Sequence, residues 1–81
     1  MDVVTALNTH VKQSLADVFG VSMTNMIILE CSRKAGVAVM GLNTDGYTKL
    51  VNTIASDERV VQMLGQDGAR AKRDAWAALV K

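Results

Sequence analysis

Between Val3 and Phe19 the apolar residues Val4, Leu7, Val11, Leu15 and Val18 recur in steps of three and four. Val3 and Phe19 widen the stripe, while Asn8, Lys12, Gln13 and Asp17 fall off it. Such a series lies on one face only if the backbone is helical over several turns. Asp2 stands where a carboxylate can cap the first turn, and Gly20 where the helix can stop. An amphipathic helix cannot bury its stripe alone. In a chain of 81 residues, near the lower limit for a self-sufficient core, the remaining sequence must cover it within one domain, residues 1–81.

The rest of the chain is punctuated in the same way. Ser22 is suited to cap a second helix, Met23 to Ala35, which Gly36 would end. Its apolar run Met26–Cys31 is nearly continuous, which leaves open a strand at 26–31 pairing with 37–42 around an Arg33–Gly36 turn. The run does not alternate and the turn lacks Asn-Gly or Asp-Gly, so helix is the better reading. Asn43 or Thr44 can cap a third helix bearing Tyr47, Leu50, Val51 and Ile54 on one face. Ser56 would cap a fourth, with Asp57 and Glu58 in its first turn and Gly65 at its end. Asp67 would cap a fifth, with Trp76, Leu79 and Val80 inward and Arg70, Arg73, Asp74 and Lys81 outward. The pattern predicts an all-α fold, a small bundle of four to five short helices. The alternative is α+β with the 26–31/37–42 hairpin.

Composition narrows the function. Hydrophobic residues make up 49% and charged residues 21%, with no proline, which is too apolar for disorder and too interrupted for a membrane span. The single cysteine, Cys31, has no partner for an internal disulfide, and no signal-peptide pattern opens the chain. A cytoplasmic protein that does not enter membranes is expected. Net charge is +1, so any attraction to nucleic acid must be local, and the one basic patch sets Arg70, Lys72, Arg73 and Lys81 against Asp67 and Asp74.

Catalytic chemistry is poorly supplied. His10 precedes apolar Val11 with no acid or second histidine nearby, and Cys31 lies in the most apolar segment, where a thiolate is disfavoured. One histidine and one cysteine cannot furnish a zinc or iron site of nitrogen and sulfur ligands. Asp45 and the Asp57-Glu58 pair read as helix-start acids rather than calcium ligands. Neither a phosphate-binding loop, a dinucleotide fingerprint nor a nucleophile elbow is present. The expectation is a non-enzymatic protein with no metal, no cofactor and no small-molecule substrate. Met1, Met23, Met26, Met40 and Met63 are read as core filling, with Tyr47 and Trp76 as the large anchors.

One segment points to an activity. Residues 12–31, with Gln13-Ser14-Leu15-Ala16-Asp17-Val18-Phe19-Gly20-Val21-Ser22-Met23-Thr24-Asn25-Met26 at their centre, resemble a helix-turn-helix of DNA-binding domains. The resemblance makes Ala16 the close crossing, Gly20 the left-handed turn, Val21 the plug of the corner and Ser22 the cap. Met26 and Leu29 would then hold the second helix against the first. It implies double-stranded DNA as partner and a DNA-binding set of Ser22, Thr24, Asn25, Ile28, Arg33, Lys34, Arg70 and Arg73. The Gly-Val-Ser corner is also similar to that of ribbon-helix-helix repressors, which would make Val3–Leu7 a strand. Gly65-Gln66-Asp67-Gly68 has the form of a KH-domain loop, but no strands follow, and a helix end plus Asp67 cap suffices. A different class of reading starts from apolar surplus. Ile27, Ile28, Val37, Val39 and Met40 would form the interface of a homodimer or of a complex with a protein partner.

Overall fold

Asp2 begins the first helix as its type suggests, one carboxylate oxygen accepting from the Thr5 amide at 3.1 Å and the other from the Thr5 hydroxyl at 2.7 Å. The computed structural model describes residues 1–80, and among them four helices and no strand. Helix α1 covers residues 3–19 as a continuous run of Val3–Thr5, a π-helical stretch Ala6–Val11, and Lys12–Phe19. Helix α2 is Val21–Ala35, α3 is Thr44–Ala55 and α4 is Glu58–Ala78. The all-α reading holds, and the hairpin does not form. Residues 26–31 lie inside α2, and residues 37–42 are irregular.

The helix count is four because the two last segments expected from the sequence are one helix, kinked at Gly65. There φ is 76° and ψ is 164°, a conformation that L side chains rarely adopt, and Asp67 sits inside the helix rather than capping a new one. Gly20 takes nearly the same angles, φ 82° and ψ 166°. That is not the left-handed helical turn expected there, for which ψ would be near +47°. The chain re-enters helix at once, so α2 starts at Val21 with Gly20 as N-cap, and Ser22 lies in its first turn without a capping bond. Asn43 does cap α3, accepting from the Gly46 amide at 2.7 Å. For α4 the cap is Asp57 and not Ser56, because Ser56 has already turned its hydroxyl back to the Asn52 carbonyl, closing α3.

The π stretch resets the face of α1. Its hydrogen bonds skip five residues, as from the Lys12 amide to the Leu7 carbonyl, so each turn holds more residues than an α-turn. Steps of four then stay aligned. Ala6, Leu7, Val11 and Leu15 are buried, while Val4 and Val18, expected in the stripe, are outside at 57% and 39% exposure. These residues pack with Ile27, Ile28 and Cys31 of α2, Tyr47, Leu50, Val51 and Ile54 of α3, and Val60, Ala69 and Trp76 of α4. Successive helices pack against each other, and the π stretch of α1 touches α4, which closes the bundle. Tyr47 is fully buried, and its hydroxyl donates to the Trp76 carbonyl at 2.7 Å. The radius of gyration, 11.2 Å, matches the ~12 Å of a compact domain of this length, so no arm projects. Leu79 and Val80 pack half-buried against the core, while Lys81 of the expected outer stripe lies outside the described residues.

Candidate functional site

The phase of α2 decides what the surface offers. Thr24, Ile27, Ile28 and Cys31 are spaced i, i+3, i+4, i+7 and face the bundle, and all are buried. This puts both isoleucines inside. It also overturns the inward and outward assignment drawn from the helix-turn-helix resemblance. Met26 and Leu29, expected to hold α2 against α1, are 51% and 49% exposed, and Val21, expected to plug the corner, is 69% exposed. Of the residues expected to face DNA, Ser22, Asn25, Arg33, Lys34 and Arg70 are exposed and Arg73 is half-buried. Thr24 and Ile28 are not available to a partner's bases, being 1% and 4% exposed. Met23 joins Met26 and Leu29 on the outer face, between Ser22 and Asn25 at one end and Arg33 and Lys34 at the other.

None of the five methionines fills the core. Met1, Met23, Met26, Met40 and Met63 all lie on the surface, Met40 at 90% exposure. The volume they were expected to fill is taken by Ile27, Ile28, Tyr47 and Trp76. Among the residues expected to form an interface, Ile27 is fully buried and belongs to the core. Val37 and Val39 are half-buried, their inner sides packed against the core.

Beside the exposed face of α2 runs a groove of about 280 Å³, lined by Lys12, Asn25, Ile28, Leu29 and Val39. Ile28, Leu29 and Val39 give it apolar walls, and Lys12 and Asn25 give it a polar rim. Lys12 and Asn25 also border a second depression of about 190 Å³ with Asn8, Gln13, Ala16, Val21 and Thr24. The hydroxyl of Thr24 is buried and has no hydrogen-bond partner. Val37 lines a third depression of about 190 Å³ with Leu42 and Gly46 at the start of α3. A depression of about 280 Å³ holds Arg70 and Arg73 near Ser56.

Cys31, Glu30, Asp57 and Arg59 form one cluster between α2 and the start of α4. Asp57 Oδ1 accepts from the Arg59 amide at 2.9 Å and from Arg59 Nε at 3.0 Å, while Oδ2 accepts from Arg59 Nη2 at 2.9 Å. The Cys31 thiol points to the same Oδ2 at 3.7 Å. Arg59 Nη2 also donates to Glu30 at 2.6 Å, which ties α2 to α4. The Arg59 hydrogen bonds hold the Asp57 carboxyl below its ordinary pKa. Burial first, and then the Asp57 charge, push the Cys31 thiol from 9.0 up to about 11. Burial and the neighbouring carboxylate thus both disfavour the Cys31 thiolate.

His10 is exposed on the outer side of α1. No group of three or more His, Cys, Asp or Glu side chains with metal-binding proximity exists among the described residues, and no helix there is long and apolar enough to cross a membrane. No known protein family, curated protein or solved structure matched the chain.

Proposed function

We propose that this chain is a small non-enzymatic helical module that associates with a second copy of itself through the outer face of α2 and the adjoining groove. The observation carrying the reading is the placement of sulfur-bearing and aliphatic side chains. Met23, Met26 and Leu29 stand outside on one helix while no methionine is in the core. Unbranched, polarizable methionine is the residue that adapts to an apposed surface, and a contiguous apolar helix face is unusual on a protein that works alone. A two-fold interface must be complementary to itself, with both a knob and a hole on one patch. Here the groove walled by Ile28, Leu29 and Val39 adjoins Met40, which follows Val39 in the chain and is 90% exposed. In the proposed dimer Met40 of one copy supplies the knob and this groove of the other the hole. The near-zero net charge, +1, raises little repulsion between copies.

Analytical ultracentrifugation tests the proposal. The wild-type chain should sediment as a dimer whose population falls on dilution, and Leu29→Lys or Met40→Asp should give monomers of unchanged helicity. A wild-type chain that remains monomeric at about 1 mM, a concentration that populates even a millimolar complex, overturns it.

A second reading, binding of duplex DNA as a transcriptional regulator, is favoured by the exposure of Ser22, Asn25, Arg33 and Lys34 along the same helix. It requires binding that weakens steeply with salt, because each neutralised phosphate releases counterions. Arg33→Glu should abolish that binding while leaving dimerisation intact.

A further inference from the structure

The kink at Gly65 turns the second arm of α4 back over the end of α3. The two enclose a corner of about 280 Å³ lined by Ala55, Ser56, Val61, Gln66, Arg70 and Arg73. Gln66, Arg70 and Arg73 fall at i, i+4 and i+7, along one face of that arm, and so converge on the corner from one side. Arg70 has no ion pair among the described residues. Arg73 touches only its neighbour Asp74, through Nε at 3.2 Å and Nη2 at 3.1 Å, an exposed pair of little strength. On the opposite wall the Ser56 hydroxyl is held by the Asn52 carbonyl at 3.0 Å, and Ala55 and Val61 are apolar. Asp57, next to Ser56 in the chain, is already engaged by Arg59.

Two guanidinium groups and an amide facing one concavity select a compact anion with several acceptor oxygens. One guanidinium fork already satisfies a planar carboxylate, whereas two forks suit the three terminal oxygens of a phosphate group. The volume falls just below the ~300–1,000 Å³ of pockets for drug-sized ligands. Duplex nucleic acid needs cations spread along many phosphates rather than two in one recess. We infer that the corner made by the Gly65 kink binds the phosphate group of a small phosphorylated molecule, with Arg70 and Arg73 as its anchors and Gln66 as a further donor. The site is separate from the α2 face and stands or falls independently of self-association.

The test is an NMR titration of the full chain with inorganic phosphate, ionic strength being held constant with chloride. Saturable shifts confined to Ser56, the Gln66 side-chain amide and the Arg70 and Arg73 Nε–H groups are expected. The Arg70→Ala/Arg73→Ala double variant should bind about tenfold more weakly or worse, given the strength of hydrogen bonds to charged groups. Neither side chain is buried in the core, so that variant should keep its fold, checked by its amide spectrum. Acetate should bind at least about tenfold more weakly than phosphate, because it fills only one fork. Shifts that stay linear in phosphate, or that persist unchanged in the double variant, overturn the inference. So does acetate that binds as well as phosphate. A short DNA duplex that displaces phosphate at equal phosphorus concentration would also overturn it, transferring the arginines to a nucleic-acid surface.

Discussion

Replacing Thr24 by valine should make the protein more stable. Thr24 is 1% exposed, and its hydroxyl is buried without a partner. A threonine within a helix ordinarily returns its hydroxyl to the carbonyl four residues back. Here that carbonyl belongs to Gly20, at the corner, and accepts only the Thr24 amide, at 3.1 Å. A buried donor left unmade costs about 1–3 kcal/mol. Valine keeps the branch at Cβ and differs little from threonine in helix propensity, so the backbone has no reason to move. The added methyl contributes up to about 0.8 kcal/mol if it is fully buried. A net gain of about 1–2 kcal/mol is expected, which for a domain of this size raises the melting temperature by roughly 4–8 °C per kcal/mol. Urea unfolding should show the midpoint raised and the slope unchanged. Ser32→Ala is the control, because Ser32 is also buried but donates to the Leu29 carbonyl at 2.7 Å, and its loss should bring no gain. If Thr24→Val is neutral or destabilising, the hydroxyl has a partner, such as a water held between Asn8 and Asn25, and the reasoning fails.

Three further outcomes follow from the internal cluster and the Gly65 corner. Asp57→Asn removes the anion that Arg59 and the α4 amides surround, and should cost about 2–3 kcal/mol in thermal unfolding at neutral pH. Because the folded-state pKa of Asp57 lies below 3.8, its contribution is present above that pH and is lost as pH falls through the depressed value, so the wild-type advantage over Asp57→Asn should vanish in acid. At the alkaline end the folded chain keeps the Cys31 proton that the unfolded chain releases near 9.0, so stability should decline as pH rises from there towards about 11. Cys31→Ala should flatten part of that decline, and burial of the Tyr47 hydroxyl adds to the remainder. Gly65→Ala should destabilise by about 1–3 kcal/mol, measured by chemical denaturation. Open space surrounds the added carbon, so the backbone angles alone carry the cost.

Much of the architecture could be read from residue order, because helix ends are local. Asp2, Asn43, Gly20 and Gly36 mark boundaries by chemistry contained within a few residues, and they are found where that chemistry puts them. Ser56 and Asp57 are adjacent and both suited to cap α4, so local chemistry does not choose between them. Arg59, which chooses Asp57, acts through a contact that spacing alone does not weigh. What could not be read was rotation. Whether α2 turns Ile27 and Ile28 or Met26 and Leu29 inward depends on how α1 delivers the chain into the Gly20 corner. A π-helical stretch and an extended ψ at that glycine both alter the delivery without altering the apolar pattern. The clue was present in the 24, 27, 28, 31 spacing, which collects the branched residues on one stripe. The basic corner was half legible. Arg70 and Arg73 were visible as charge, but their facing wall, Ser56 and Val61, is assembled only by the kink.

The division of sulfur in this molecule has a chemical consequence. Every thioether is on the outside, whereas the one thiol is buried, protonated and covered by Asp57. Oxidants act on accessible sulfur, and a sulfoxide is polar where the thioether was not. Mild peroxide should therefore convert the methionines while sparing Cys31. Mass spectrometry would count the added oxygens, and the helicity should stay where it was. The surface of α2 would change from greasy to wet within an unchanged fold, and methionine sulfoxide reductases could reverse it.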